Sequence, residues 1–535
     1  MEEFQSVTKQ IEKLLAIYKR PYLSEEEKHL PKVQVSTLTS KMAFLYEKIR
    51  NVIDYKAEHL LRKNAIKRIL RRRLTLGSNA KKVAAPLVYE LIQARYLQNN
   101  AIPENKISQT ASIIHKYIFL MNDVFSKGKI EKNEKRNLMD WLLALAACEI
   151  EDLFTTSFKQ EALVRFMHQI MKKSIVWSEE LLKEDRDIQI YIAVHRCLLK
   201  SDREIIAFRL FNLYYPQWQK AESEDEILKA AVNIYSLYKL CQSQIDHKLS
   251  FRLLRVIRKF TAPFIILENV ILENLDQAEE IFSSPKLLEE KIQDACNAAY
   301  KEKRKKLTRS SIRAIIYIFL TKMLLALILE VPYDLYVAGT VHRLPLAINV
   351  IFHPFLLFLI ALIIRVPKEE NTNKIIKVIT KVVYQGEEEE FEKIKPVTGR
   401  HIFFSVLFNF VYLLTFGLSF GLIIWGLSRL NFNLASGAFF LLFLSLVSFF
   451  GIRNREQARE LIVVGEREKI RTTIIDFFAI PILRVGRWIS LNFSKINIFV
   501  FVFDFIIEAP FKAFVEIIDD FFAFIKEKKE EITIR

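Results

Sequence analysis

The chain has 535 residues, 51% of them hydrophobic and 26% charged, with a formal net charge of +17. That length suffices for two or three folded units, and apolar and charged stretches are segregated along the chain, so a soluble part joined to a membrane part is expected. Gly77 and Gly128 are the sole glycines before Ala338. Phosphate cradles of the GxGxxG and GxxxxGK[ST] kinds need glycine for positive φ and close backbone approach, which excludes classical P-loop ATPase, Rossmann dehydrogenase and kinase readings of that region.

Residues 1–310 read as an all-helical cytoplasmic domain. Apolar residues recur at three and four with charges between them, and no sustained alternation marks a strand. Breaks at Pro21, Pro31, Gly77–Asn79, Asn99–Pro103, Gly128, Pro216, Pro263 and Ser283–Pro285 divide it into about ten helices of ordinary length. Ser201–Glu204 and Ser178–Glu180 carry helix-start signals. No signal peptide is visible after Met1, so insertion is expected to rely on the apolar segments.

The most basic helix candidate sets Arg62, Lys63, Lys67, Arg68, Arg71, Arg72 and Arg73 beside an apolar stripe of Leu61, Ala65, Ile69, Leu70 and Leu74. Two functional readings apply: docking on anionic lipid headgroups, worth roughly 1 kcal/mol per basic side chain, or on a nucleic-acid backbone. The plain alternative is a packing face on its own domain. Phe251–Lys259 is a second segment of the same kind.

Four apolar segments follow: 312–329, 345–364, 402–427 and 432–452. Each approaches or exceeds the about 20 residues needed to cross a bilayer core of roughly 30 Å. Lys and Arg crowd three flanks: before the first, between the second and third, and after the fourth. The remaining two connections hold one arginine each, Arg343 and Arg429. The positive-inside rule then predicts a multi-pass protein of the cytoplasmic membrane with both termini cytoplasmic. The organisation expected is a transmembrane hairpin at 311–365, a cytoplasmic connection at 366–400, a second hairpin at 401–452 and cytoplasmic amphipathic helices at 453–535. In the connection, Lys374–Tyr384 reads as a short helix in the headgroup region that Gly386 ends before the acidic run Glu387–Glu390, with a strand as the alternative. Residues 472–526 read as amphipathic helices on the membrane face, or packed on the soluble domain, with Trp488 as an interface anchor and a charged tail at 526–531.

Polar residues inside the spans carry the chemistry to be weighed. Lys322, with Glu330 and Asp334 as partners further along, reads as an ion or proton path or as a buried structural pair. His353, beside Asn349 and Pro354, makes a polar kink, and Asn409 lies in the third span. Gly417 and Gly421 match the small-xxx-small pattern of close helix packing.

Catalytic and metal signals are weak. Glu26 with His29, and His195 with Cys197, lack a second half at metal-site spacing. Glu149, Glu151 and Asp152 read as a solvated helix end. Cys148, Cys197, Cys241 and Cys296 are expected as free thiols, and no motif calls for a cofactor. The fold class is therefore all-α: a polytopic helical membrane protein with about four transmembrane helices, a large N-terminal helical domain and C-terminal amphipathic helices. Its distinctive features are surfaces, which favours a non-enzymatic scaffold or membrane-organising protein. The alternatives are an oligomeric transporter or channel component and a membrane tether for nucleic acid. The partners expected are the bilayer and its anionic headgroups, a protein partner or further copies of the chain, and, behind these, nucleic acid.

Overall fold

A computed structural model of the chain describes residues 7–36, 40–48 except 42, 58–75, 79–126, 131–175, 183–221, 223–339, 343–363, 367, 369–385, 402–463, 470–495 and scattered positions between 514 and 528. Among the described residues the fold is helical throughout. One isolated backbone bridge, Lys32 with Pro103, makes no strand. Four helices are long and apolar enough to cross a membrane. The chain divides into two compact units, the first taking residues 8–257 and the second 258–385 with 402–495. The division thus falls at Ile257/Arg258 and not near residue 310.

The first unit comprises α1 (Lys9–Tyr18), α2 (Glu25–His29), α3 (Glu58–Thr75), α4 (Ala80–Gln93), α5 (Asn105–Ser126), α6 (Lys132–Leu153), α7 (Ser157–Ser174), α8 (Lys183–Leu198), α9 (Arg203–Tyr214) and α10 (Glu224–Ile245), and α11 (Ser250–Arg258) runs up to its edge. Polar caps set where several of these start. Ser24 with Glu27, and Ser223 with Glu226, form reciprocal capping boxes. The Asp202 carboxylate accepts the Glu204 and Ile205 N–H groups at 3.1 and 3.0 Å, as the Ser201–Glu204 stretch predicts. The second expected start, Ser178–Glu180, lies outside the described residues. The core is built around α6, which is apolar on every side from Trp141 to Ala147 and accordingly buried all round. Trp218 is fully buried, edge-on to Tyr117 and Phe211 with ring centroids 5.2 and 5.4 Å away.

In the second unit, α12 (Thr261–Glu273), α13 (Ala278–Ser283) and α16 (Glu369–Tyr384) pack on the first half of α14 (Pro285–Leu325). That helix continues through two π turns, Ala326–Glu330 and Asp334–Ala338, so the first candidate span is the far half of an unbroken helix, Pro285–Val337, of 53 residues. The remaining candidate spans lie in α15 (Arg343–Ile363), α17 (Ile402–Arg429) and α18 (Leu434–Ala458), and α19 (Ile470–Lys495) follows them. Helix α14 packs on α15, α15 on α18, and α19 on both α17 and α18.

Two expectations are corrected here. Helix α16 does not spend its apolar stripe on headgroups: Ile375, Ile379, Val382 and Val383 are buried against α12 and α14, and the Tyr384 hydroxyl donates to the Phe282 carbonyl at 3.0 Å. The residues after it, Gly386–Glu390, lie outside the described set. Helix α19, expected as an amphipathic surface helix, packs along two candidate spans, where the Ser419 hydroxyl donates to the Phe478 carbonyl at 2.9 Å. A Cβ on Gly486 would stand 2.0 Å from the Ser445 carbonyl oxygen, so no larger residue fits there. Residues 496–513, and most of the rest up to Arg535, lie outside the described set.

Leucine at Gly486 is therefore expected to force α19 off α18, at a cost of about 1–3 kcal/mol by the usual scale of overpacking. Gly421→Leu is the control, because nothing stands within 4 Å of its Cβ position. Thermal unfolding of the two variants in nanodiscs checks this: the Gly486 variant should melt well below the parent, whereas the Gly421 variant should melt as the parent does.

Candidate functional site

The basic helix α3 is not an open cationic face. Arg62 Nε donates to the Glu151 carboxylate at 2.8 Å, and the fully buried Lys63 donates to Asp202 at 2.5 Å and to Glu204. Lys67 reaches Asp140 at 2.8 Å and Glu204 at 2.6 Å, and Arg68 reaches Glu47 at 2.5 Å. Arg71 pairs with Asp140, and Arg72 and Arg73 share Glu90 at 2.6 and 2.5 Å. The expected docking surface is thus consumed inside its own unit. Its counter-charges come from four other parts of the chain, which is why local composition hides them.

The acidic group at the end of α6 is corrected in the same way. Glu149 and Glu151 are buried, and Asp152 holds Arg209 in a two-pronged pair at 2.5 and 2.9 Å. Glu149 accepts the Tyr117 hydroxyl at 2.8 Å and the Trp218 indole N–H at 3.0 Å, while its other oxygen takes Lys116. The Lys116 ammonium also donates to the Trp218 carbonyl at 3.1 Å and lies 4.7 Å from that ring's centroid.

Glu161 of α7, His195 of α8 and Arg209 of α9 form a further polar cluster in the first unit. The Tyr191 hydroxyl donates to Glu161 at 2.7 Å. His195 is fully buried, its Nε2 standing 3.3 Å from Glu161 Oε2 but too far off-line for a hydrogen bond, and its Nδ1 3.3 Å from Ser201 Oγ. Cavities of about 410 and 570 Å³ flank the cluster; Ser201, His195 and Asp152 line the smaller, and Tyr191, Arg209 and Asn212 the larger. A hydroxyl, an imidazole and a carboxylate in a row invite comparison with an acyl-transfer site. Here, however, the Ser201 N–H is tied to the His195 carbonyl at 3.2 Å beyond a left-handed Lys200, and that geometry closes the end of α8. His195 stands out in the sequence beside Cys197, whereas Glu161, on another helix, carries no local signal. Among the described residues no three His, Cys, Asp or Glu side chains are grouped as a metal ion requires, and the four cysteines are free.

Burial on its own would raise the Glu161 carboxyl. The contacts with His195, Arg209 and Tyr191 outweigh it and hold the group down at about 2. A depressed carboxylate contributes stability that is present above its unfolded value and lost as the pH falls through its folded one. The first unit should therefore lose roughly 3 kcal/mol through this group as the pH drops from about 5 toward about 2. Glu161→Gln should flatten that part of the slope, which thermal unfolding at several acidic pH values reads directly.

In the spans, sequence-predicted residues do converge. Lys322 Nζ donates to Asn349 Oδ1 at 2.7 Å, and Asn349 Nδ2 donates to Glu330 at 2.7 Å and to the Ser436 carbonyl at 3.3 Å. The lysine and glutamate are thus joined through an asparagine, and the ammonium lies 4.1 Å from the Phe443 ring centroid. His353 places its ring nitrogens 3.1 and 3.0 Å from the carbonyls of Asn349 and Phe440. Asp334 belongs to a separate pair, accepting from Asn433 at 2.5 Å. All of these except Asn433 and Phe443 are essentially sealed from solvent, and the knot ties α14 and its π turn, α15 and α18 together.

Asn409 is not part of the knot; it is exposed on α17. Gly417 and Gly421 are likewise exposed, with open space at each Cβ, so the packing expected of them is not made among the described residues. The close approaches fall instead at Gly486 and at Gly451, where a Cβ would stand 2.7 Å from Ile360. Comparison with family models, with curated proteins and with solved structures finds no match to this chain.

Proposed function

We propose that the protein is a membrane-anchored scaffold, in which a rigid helical module is presented at the cytoplasmic face by a four-span bundle. The observation that carries this reading is what remains open once the internal pairs are formed. On α11, Leu253, Val256 and Ile257 are buried, while Phe251 is 68% exposed with the Arg255 guanidinium 5.4 Å from its ring. An exposed aromatic under a cation, at the start of a helix that leads into the membrane unit, suits an anionic bilayer surface.

The topology has support of its own. Arg258 meets Glu456 at 3.2 Å, Lys303 meets Glu460 at 2.5 Å, and Asn371 donates to Tyr300 at 2.7 Å and to the Leu461 carbonyl at 2.8 Å. The three basic flanks of the spans therefore gather at one end of the unit, as an even number of crossings with both termini cytoplasmic requires.

Sedimentation of residues 8–257, extended to the end of α11, with anionic and with neutral vesicles tests the proposal. The module should pellet with anionic vesicles alone, and Phe251→Ser/Arg255→Glu should abolish it; equal pelleting by parent and variant would sink this surface. One observation favours a transport reading: the second carboxylate oxygen of Glu330 is buried and accepts no hydrogen bond. The nucleic-acid reading has lost the α3 face it relied on.

A further inference from the structure

Helix α19 turns one face inward and a different chemistry outward. Pro481, Gly486 and Ile489 are buried, while Arg484, Arg487 and Trp488, spaced three and four apart on the opposite side, are exposed. The Arg484 guanidinium stands 5.2 Å from the ring centroid of Tyr412, which lies within the apolar stretch of α17. Gly486, half a turn on, abuts Ser445 within the apolar stretch of α18. Arg484 therefore sits beside a candidate span, and Arg487 follows one turn on along the same exposed side.

Elsewhere in the chain arginines close to apolar packing are given carboxylates, as Arg62 is by Glu151 and Arg209 by Asp152. Among the described residues no carboxylate pairs with Arg484 or Arg487. A lone cation beside the bilayer core is costly unless it reaches up to the interface or finds a counter-charge. At its interface the bilayer supplies an anion that a long side chain can reach, the lipid phosphate. Guanidinium is the side chain whose planar fork matches phosphate oxygens two at a time, and Trp488 has the amphipathic ring that settles at the headgroup level.

We infer that Arg484, Arg487 and Trp488, against Tyr412, form a binding site for the headgroup of an anionic phospholipid, seated between α17 and α19. The site is distinct from the α11 surface and independent of it. It rests only on the spans being embedded. An anionic lipid satisfies both guanidinium groups, where a zwitterionic headgroup brings a compensating ammonium.

The test uses the full chain in nanodiscs of phosphatidylcholine, with or without phosphatidylglycerol. The parent should melt roughly 5 °C higher with the anionic lipid, and Arg484→Gln/Arg487→Gln should lose most of that gain. Keeping the gain in the Phe251→Ser/Arg255→Glu background separates this site from α11, and losing it there would overturn the assignment. An equal gain in parent and double glutamine variant would also overturn it. So would the same gain from inorganic phosphate in neutral discs, which would mark a free-anion site. Should the double variant fail to reconstitute, native mass spectrometry of the parent decides. Phosphatidylglycerol retained over phosphatidylcholine supports the site, and equal retention refutes it.

Discussion

Glu149→Ala is expected to be the most damaging single substitution in the first unit. The carboxylate removed is the acceptor for the Tyr117 hydroxyl, the Trp218 indole and the Lys116 ammonium at once, and all three are buried. Stripping one partner from a buried ion pair leaves an uncompensated charge, at a cost of about 3–5 kcal/mol. Two orphaned neutral donors add to it. In a unit of this size the melting point should fall by roughly 10 °C or more. The sharper check is the companion substitution. Lys116→Met in the Glu149→Ala background removes the stranded ammonium and should recover part of the loss. If the double variant is no more stable than Glu149→Ala, the ammonium was not the source of the damage. Trp218 fluorescence reports on the same region, because its ring is packed against the lysine that would be left behind.

The second large effect is expected at the knot in the spans. Lys322→Ala leaves Glu330 beside Asn349 with no positive charge in reach, and should destabilise the bundle by about 2 kcal/mol, membrane polar contacts running weaker than their isolation suggests. Glu330→Gln alone should cost less, since the amide still accepts from Asn349. The double replacement Lys322→Met/Glu330→Met, which keeps volume and removes both charges, should restore stability to near the parent level. Unfolding in nanodiscs across this cycle gives the coupling between the two residues, and ion flux through proteoliposomes of the same variants decides what the knot is for. A scaffold predicts that the double variant behaves as the parent does. Ion or proton flux present in the parent and abolished by Lys322→Ala would hand the spans to transport.

How much of this could be read without coordinates depended on whether the relevant period was local. Four apolar helices, their basic flanks and the absence of strands follow from runs and spacings along one segment, and they are what the fold contains. The knot was partly legible because a lysine in an apolar run is conspicuous wherever it sits, although its tie to Glu330 passes through Asn349, a residue no charge count would select. The fate of α3 was not legible. Seven cations on one helix look like a surface until Glu47, Glu90, Asp140, Glu151, Asp202 and Glu204 are brought to them from distant parts of the chain. Glu149 was misread for the same reason, its partners lying on α5 and beyond α9. In α17 the small-residue pattern was real, but pattern cannot tell an occupied face from an open one. Gly486, in no such pattern, holds the tight approach.

The unbroken helix Pro285–Val337 has a mechanical consequence. Its 53 residues make a rod of about 80 Å, of which a bilayer core takes about 30 Å. The remainder is the same piece of helix, with neither glycine nor a further proline before Pro332 to serve as a joint. Torsion applied along the length gripped by α12, α13 and α16 is carried along the axis to Lys322 without loss at a hinge. The first place that can absorb the twist is the π turn Ala326–Glu330, which carries Glu330 itself, followed by a second at Asp334–Ala338, where the register of backbone hydrogen bonds is already shifted.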